Sequence, residues 1–515
     1  MGEKLRGDLQ RGFPNRSIPV FEQAYLKDFD KKVATMTIIE KPTCSKSSKT
    51  FCLEAFCAAL PQWAEHIQMR VEQSIGASDQ NLGHLEELVL KDTKEIQRKA
   101  VEEAAQKKAE GTPPRCPCCG NLLRRVTTGH TRSFETRFGS ITIGRARGYC
   151  KRCHKWRFPA DTALGLAETA GYSPSVQEMA ALGVSKLPVA EAEMVIERLA
   201  GVKIPRATLD REAKRQGEQA QQLRQQMDEK AQTPEGVAAV NRAIQMELPL
   251  EPFTLVIMID AWNIRERDEW GQSQKLRKKG LEPSRWHWVY NATVFRLPER
   301  VQSAGGRPLI LSRGYVTTRW GIDALRSQLY AEAVRRGLRH AKQVLIIADG
   351  AVWIWNLAQD RFPQARQQLD LFHAKHHLWT VAHELHGSGT AQAKAWVEPL
   401  LKQLEEGKVP RVIDRLEEML RELPQSQAKV VGREVEYFKN NRHRMDYRAA
   451  KKRGEPLGSG AIESTCRQYQ CRFKRPGQFW STQGDEAIMC LETFWRNGRW
   501  NQLFPHVGDF DPSKN

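Results

Sequence analysis

LVIMIDAWN (residues 255–263) and VLIIADGAVWIW (344–355) decide how this chain reads. Residues 255–259 and 344–348 are short, apolar, largely branched runs, and each predicts a strand buried on both faces. Each run stops at an aspartate, Asp260 and Asp349. A carboxylate at the carboxyl end of a buried strand is costly to desolvate unless a cation or hydrogen-bond donors compensate it, so two such ends suggest a shared ligand. A third acid, Glu463, follows the glycine turn of LGSGAIEST (457–465), in the first turn of a helix predicted to run towards Arg472. Singly, each has a plainer role: a strand-end Asp caps helices, Asp349-Gly350 is a common turn, and Glu463 suits a helix surface. Their order within one basic chain joins them into one metal site. Oxygen ligands without a nearby cysteine favour magnesium or manganese.

The chain has 515 residues and a net charge of +19. That length allows several domains, and that charge seeks a polyanion, with nucleic acid as the first candidate partner. No long apolar segment, amphipathic basic anchor or signal peptide stands out, which argues against a membrane role. Eleven cysteines, odd in number and clustered, fit metal binding in a reducing cytosol better than a disulfide framework. Neither a P-loop nor a G-x-S-x-G elbow is present, so neither a nucleotide cofactor nor a protein nucleophile is expected.

Residues 1–111 read as a helical region, with Cys44, Cys52 and Cys57 as core thiols. Residues 112–160 carry two knuckles, Cys116-Pro-Cys118-Cys119 and Cys150-Lys-Arg-Cys153-His154. Two tight turns that each offer a pair of thiolates suit one structural zinc ion, with Cys116, Cys119, Cys150 and Cys153 as ligands and Cys118 and His154 as alternatives. The stretch between them, residues 133–149, alternates in character and predicts the hairpin of a zinc ribbon. Arg124, Arg125, Arg132, Arg137, Arg145 and Arg147 make that hairpin a candidate phosphate contact.

Residues 161–232 predict three helices, at 174–185, 188–200 and 205–216, the last extended by a polar continuation. This is a helix-turn-helix arrangement whose last helix would carry Arg206, Thr208, Arg211, Lys214 and Arg215 towards DNA; a basic solvated helix is the plainer reading. From residue 250 strands and helices follow one another. Strands ending at Asp260, at 286–297 and at 308–318, a helix at 321–338, a strand ending at Asp349 and a last strand at 367–371 give the order of a ribonuclease-H-like core over 250–372. In that order the first and fourth strands are neighbours, which would bring Asp260 beside Asp349.

The expected fold class is therefore multidomain α+β: a ribonuclease-H-like α/β catalytic core preceded by a zinc ribbon and a helix-turn-helix unit. Asp260, Asp349 and Glu463 in these contexts resemble the DDE transposases of bacterial insertion sequences, and ADGAVWIWN, DLFHAKHHLW and GSGAIEST are similar to the Kra-type insertion-sequence family. The resemblance covers roughly residues 116–500. Asp370-Leu-Phe-His373 is similar to the Asp/Cys-x-x-His signature of Mutator-like and hAT-like transposases and would lie beside the site.

The resemblance implies an all-helical insertion over 373–456, with helices at 373–386, 391–406, 409–423 and 430–444, and completion of the core over 457–515. Trp379 and Trp396 in the insertion could stack on an extruded base, but a core role suits them better. Of its histidines, His373 is the expected phosphate or supporting contact, while His376, His377, His383 and His386 read as ordinary helix residues. The resemblance also implies two magnesium or manganese ions on the three acids, cleavage at transposon ends and joining of the 3' ends to target DNA. Arg467, Arg472, Lys474 and Arg475 would hold DNA phosphates, and Trp480 and Trp495 would pack the following helix on the sheet. Double-stranded DNA is the implied partner, a homodimer the economical assembly, and the cytoplasm with its nucleoid the implied location. The competing readings are a regulator derived from a transposase and a ribonuclease-H-like nuclease or resolvase.

Overall fold

The computed structural model describes residues 54–75, 81–167, 171–267, 269 and 271–507; Cys44 and Cys52 lie outside these. The chain divides into Met1–Glu54 and Ala55–Asn515, and the elements described here belong to the second. Its strands are β1 Arg124–Thr136, β2 Gly139–Cys150, β3 Lys155–Arg157, β4 Thr254–Glu266, β5 Arg285–Arg296, β6 Arg300–Gln302, β7 Pro308–Ile310, β8 Gly314–Thr318, β9 Gln343–Ala348 and β10 Arg366–Leu369. The architecture is mixed α+β.

The central sheet has the order β10-β9-β4-β5-β8. β4 is parallel to β9 and β9 to β10, while β5 is antiparallel to both β4 and β8. Side chains alternate across this sheet, so an apolar residue at every position means a helical layer on each face. Val256, Met258, Trp262 and Ile264 of β4 pack with Ile462, Cys466 and Tyr469 of the helix Gly460–Phe473. Leu255, Ile257 and Ile259 pack instead with Leu325 and Leu329 of the helix Gly321–Arg335 and with the insertion helices.

Two expectations for the strands need correction. β4 does not end at Asp260 but continues to Glu266, because β5 accompanies it as far as Arg285. Asp260 lies where the neighbouring strand stops, not where its own does. The single strand expected over 308–318 is also split, with β7 pairing β6 in a separate ribbon and β8 joining the main sheet. Arg336 fixes the bend between them, donating to Ser312 Oγ at 2.7 Å and to the Arg313 carbonyl at 3.0 Å.

The three helices before the sheet are Pro174–Lys186, Val189–Ala200 and Arg206–Lys230, the last continuous through its polar extension. They share the sheet's core rather than building one of their own: Val176, Ala180, Leu209 and Ala213 belong to the same cluster as Val256 and Met258. The long helix lies so close to Gly484–Arg496 that a Cβ at Gly217 would sit 2.5 Å from the Ala487 carbonyl oxygen. Only glycine fits there.

The insertion folds as Leu371–His386, Ala391–Glu405, Val409–Leu420 and Gln425–Asn441. Trp379 and Trp396 are partly buried against its core, each beside a histidine, which favours packing over base stacking. Upstream, the helix Leu82–Glu110 runs along β2 where β3 does not pair it. There the Gln106 side chain accepts from Gly144 N at 2.7 Å and donates to Gly144 O at 3.3 Å, and Glu102 accepts from Thr142 N at 3.0 Å. The side chains satisfy a strand edge that would otherwise seek another chain. Cys57 is exposed, so its reading as a core thiol is corrected. Among the described residues no helix is long and apolar enough to cross a membrane.

Beyond the sheet, β4 ends in a buried acid cluster of Glu266, Asp485 and Glu486, each fully buried. Arg319 grips Glu266 with Nε and a terminal nitrogen, and Arg224 donates to Glu486 at 2.7 Å. Asp485 has only a distant cation, 3.7 Å from Arg319 Nε. Burial, followed by the Glu266 charge, pushes its carboxyl well above the usual range. The folded state therefore holds a proton that the unfolded chain releases near pH 4, and stability is lost as pH rises from there towards the raised folded value. Asp485→Asn preserves the acceptor for Glu486 N and a donor towards Glu266. It should raise the melting temperature, by more at about pH 8 than at about pH 5. A lower melting temperature than wild type at the higher pH would contradict the protonated assignment.

Candidate functional site

β4 and β9 pair in parallel up to Met258 and Ile347. Two residues further on, Asp260 and Asp349 stand at the same level. By the alternation of the strands both belong to the face that carries Val256, Met258, Leu345 and Ile347. One oxygen of each is occupied locally: Asp260 Oδ1 accepts from Ala261 N at 2.7 Å and Asp349 Oδ1 from Ala351 N at 3.0 Å. Burial raises the pKa of Asp260, and the Asp349 charge raises it further against the Ala261 amide bond. Two carboxylates at one level of the same face, each raising the cost of the other's charge in a half-buried place, are what a divalent cation relieves.

After Asp349 the chain turns away through Gly350, whose φ of +104° excludes most side chains and whose Cβ would lie 2.9 Å from the Tyr437 ring. Tyr437, on the insertion helix Gln425–Asn441, donates to the Asp349 carbonyl at 2.8 Å. His377 stacks on Tyr437 with 3.6 Å between ring centroids and places Nδ1 2.5 Å from Glu434. The insertion thus braces the turn that carries the second acid.

Glu463 is brought in by the helix Gly460–Phe473, which packs on the face of β4 that bears Asp260. Cys466, three residues along the same helix, is buried against Asp260; burial, then the Asp260 and Glu463 charges, keep its thiol protonated. The turn before this helix is tied to the strand β10 by one carboxylate. Asp370 Oδ1 accepts from His373 N at 2.8 Å, Oδ2 accepts from Ser459 N, and Leu371 N donates to Leu457 O at 3.0 Å. A Cβ on Gly458 would meet the Phe372 ring at 2.6 Å, so this crossing needs glycine. Ser459 Oγ donates to Glu463 Oε1 at 3.2 Å.

Asp370 is fully buried, yet His373 and Ser459 overcome the desolvation and hold its carboxyl at about 2. His373 Nδ1 lies 3.3 Å from Asp370 Oδ1, and Asp370, opposed by partial burial and helped by Asp349 and Glu463, raises the imidazole pKa. Asp370, His373 and Glu463 each bring a ligand atom within 4.8 Å of the others. Since both Asp370 oxygens are engaged by backbone amides, its role is to clamp the turn and orient His373. Tyr437, Ser459 and Cys466 were not foreseen as parts of this site, and Cys466 corrects the expectation that no cysteine lies near the acids. Glycine-serine-glycine spacing hinted at Ser459 and the i+3 position at Cys466, but no local signal marks Tyr437.

The expected cation contacts divide. Arg467 is exposed one turn beyond Glu463. Lys474 is exposed and donates to Asn263 Oδ1 at 3.0 Å, and Arg475 pairs with Glu191 at 2.7 Å. Arg472 is a correction: it is buried and donates to the Val184 carbonyl at 2.7 and 3.2 Å, and burial lowers it to about 10. It joins the helix Pro174–Lys186 to the core and has no surface to offer a phosphate. On the long helix, Arg206 and Arg211 are exposed, the former paired with Glu193 and the latter donating to Thr208 at 3.3 Å. Lys214 pairs with Asp210, while Arg215 is drawn inward by Glu212 and by Gln177 at 2.9 Å. In the hairpin, Arg132 and Arg145 are likewise committed to buried Asp161, and Arg147 covers Trp156; Arg124, Arg125 and Arg137 stay exposed.

Cys116, Cys119, Cys150 and Cys153 form a second cluster, with all four sulfurs within 4.8 Å. The Sγ separations of 3.9 Å for Cys116–Cys153 and 3.5 Å for Cys119–Cys150 compare with edges of about 3.8 Å for a tetrahedron with ~2.3 Å metal–sulfur bonds. β1 and β2 bring the knuckles together, and Cys153 N donates to Cys150 Sγ at 3.4 Å. Cys118 and His154 are exposed and outside the cluster. The donor set fits one tetrahedral metal ion.

The clamp can be tested apart from any activity. A carboxylate with a depressed pKa contributes stability above the unfolded value, and loses it as pH falls from about 4 through about 2. Asp370→Asn should destabilise the protein by about 2 kcal/mol near neutral pH, as expected for charged hydrogen bonds lost in a buried place, with the deficit shrinking in acid. Denaturant titrations at two pH values would measure it, and an unchanged midpoint near pH 7 would remove the clamp.

A search of curated proteins found no match to the chain. A family model described as Uncharacterised protein family (UPF0236) matches residues 332–503, a stretch that includes Asp349, Asp370, His373 and Glu463 and begins after Asp260.

Proposed function

We propose that this protein is a DNA transposase that binds the terminal inverted repeats of an insertion sequence, cuts at the element's ends and joins the 3' ends to target DNA. The observation that carries the reading is the meeting of Asp260 and Asp349 at one level of adjacent parallel strands, with the Glu463 helix packed on the same face. Supporting it, the order β8-β5-β4-β9-β10, three antiparallel strands followed by two parallel ones, is compatible with the ribonuclease-H-like core expected from the sequence. The net charge of +19 suits a polyanionic substrate.

Asp260, Asp349 and Glu463 would hold two magnesium or manganese ions, which supply water activation and stabilisation of the leaving 3' oxygen. The chain's own groups do the remaining work. His373, whose pKa Asp370 raises, stands among the acids where its protonated form would balance a phosphate's charge. Arg467 and Lys474 extend that positive surface along and beyond the Glu463 helix. Arg206 and Arg211 on the long helix and Arg124, Arg125 and Arg137 on the hairpin supply the outlying duplex contacts. The four thiolates would hold one structural zinc ion. Two ends must be joined together, so a homodimer working on the bacterial nucleoid is the assembly expected.

Incubated with duplexes carrying the sequences that flank its gene, and with manganese, the purified chain should nick at the element's ends and join them to a second duplex. Glu463→Gln should lower both steps by about a thousandfold or more while duplex binding persists. Full joining by that variant would refute the site; cleavage without any joining would favour a nuclease. Metal analysis should find one zinc per chain, lost in Cys150→Ser, and a zinc-free wild-type protein would refute the ribbon's assignment.

A further inference from the structure

Beyond Asp260 the hairpin β4–β5 presents two large rings to solvent, Trp286 at 56% and Trp288 at 57% exposure. They are two residues apart on β5 and therefore on the same face. Across the ladder they oppose Arg265 and Asn263. Neither belongs to an apolar cluster among the described residues. Cations surround them instead: Lys474 Nζ lies 5.4 Å from the Trp286 centroid and Arg265 Cζ lies 5.8 Å from it. Arg265 also reaches Phe479 at 5.2 Å, and Arg267 covers that ring at 4.0 Å. Rings and cations alternate along one strip.

That chemistry selects its occupant. An apolar protein partner wants an apolar patch, whereas a strip of aromatic faces interleaved with cations matches bases and phosphates in turn. A duplex keeps its base faces covered, so exposed rings can stack only on unpaired nucleotides. The strip is also joined to the acids. Trp288 opposes Asn263, three residues and about 10 Å past Asp260 along β4. Lys474, immediately after the Glu463 helix, is bonded to that same Asn263. The rings lie on the face opposite Asp260, but among the described residues no strand pairs the outer edge of β4 between Met258 and Arg265, where Trp480 takes it up. An unpaired strand has an edge around which to pass.

We propose that Trp286 and Trp288, with Arg265, Lys474 and Phe479, form a stacking ledge for a single-stranded DNA segment next to the cleavage site. This rests on the proposed transposase reading and adds to it that the substrate is opened near the cut. The ledge predicts a preference for duplexes with an unpaired tail over blunt ones, and each ring stacked on a base is worth roughly tenfold in affinity.

Fluorescence anisotropy of the full chain with a blunt duplex, and with the same duplex carrying a short 3' or 5' thymidine tail, tests this. Wild type should bind one tailed form at least tenfold tighter, and Trp286→Ala/Trp288→Ala should lose that preference while binding the blunt duplex as wild type does. Trp286→Phe/Trp288→Phe, which keeps the rings, should retain most of it and guards against a folding defect. A tail preference absent from wild type, or intact in the alanine pair, overturns the ledge while blunt-duplex binding leaves the parent reading standing. No binding of any DNA overturns both. A change of oligomeric state in the alanine pair would assign the rings to a protein interface and also overturn the ledge.

Discussion

The parallel pairing of β4 and β9 is the constraint on which the rest depends. It fixes the register of two aspartates that are 89 positions apart in the chain's numbering, and it stops just before them, so that β9 leaves the sheet while β4 continues. Both acids emerge on one face because strand side chains alternate with a period of two. A slip of one residue between the strands would send Asp260 and Asp349 to opposite faces. Leu345 and Ile347 on one side, and Ile346 and Ala348 on the other, make such a slip costly, since each is fully buried in its own layer.

The third acid depends on a separate fastening. Residues 373–456 intervene between the core's last strand and the Glu463 helix, yet the two ends of that insertion meet where Leu371 N bonds Leu457 O and Asp370 receives Ser459 N. The insertion can therefore be long without displacing Glu463. It also returns to the site through Tyr437, which holds the carbonyl of Asp349. One insertion steadies the second acid directly and the third at its root.

Much of this was legible in the sequence because it rests on local chemistry. Buried runs that stop at Asp260 and Asp349 announced two buried strands that each carry an acid, and paired knuckles announced four converging thiols. What was not legible depends on partners distant in sequence. The extension of β4 past Asp260 follows from β5 alongside it, and nothing in ID-AWN marks it. The burial of Arg472 follows from the Val184 carbonyl, and the commitment of half-buried Arg132 and Arg145 from Asp161. Arginine in a basic stretch looks like a phosphate contact until an acceptor elsewhere in the fold claims it. The exposure of Trp286 and Trp288 was not legible either: a strand was expected over 286–297, but β-propensity does not reveal which end of a hairpin leaves the sheet.

The claim at the centre of this account is that Asp260, Asp349 and Glu463 jointly hold divalent cations. Crystals soaked in manganese, with data collected to record its anomalous scattering, test it most directly. The account predicts anomalous density between Asp260 and Asp349 and within bonding distance of Glu463, abolished in Asp260→Asn. Density confined to the four cysteines, or none at the acids in manganese-saturated crystals that also contain bound DNA, would contradict it.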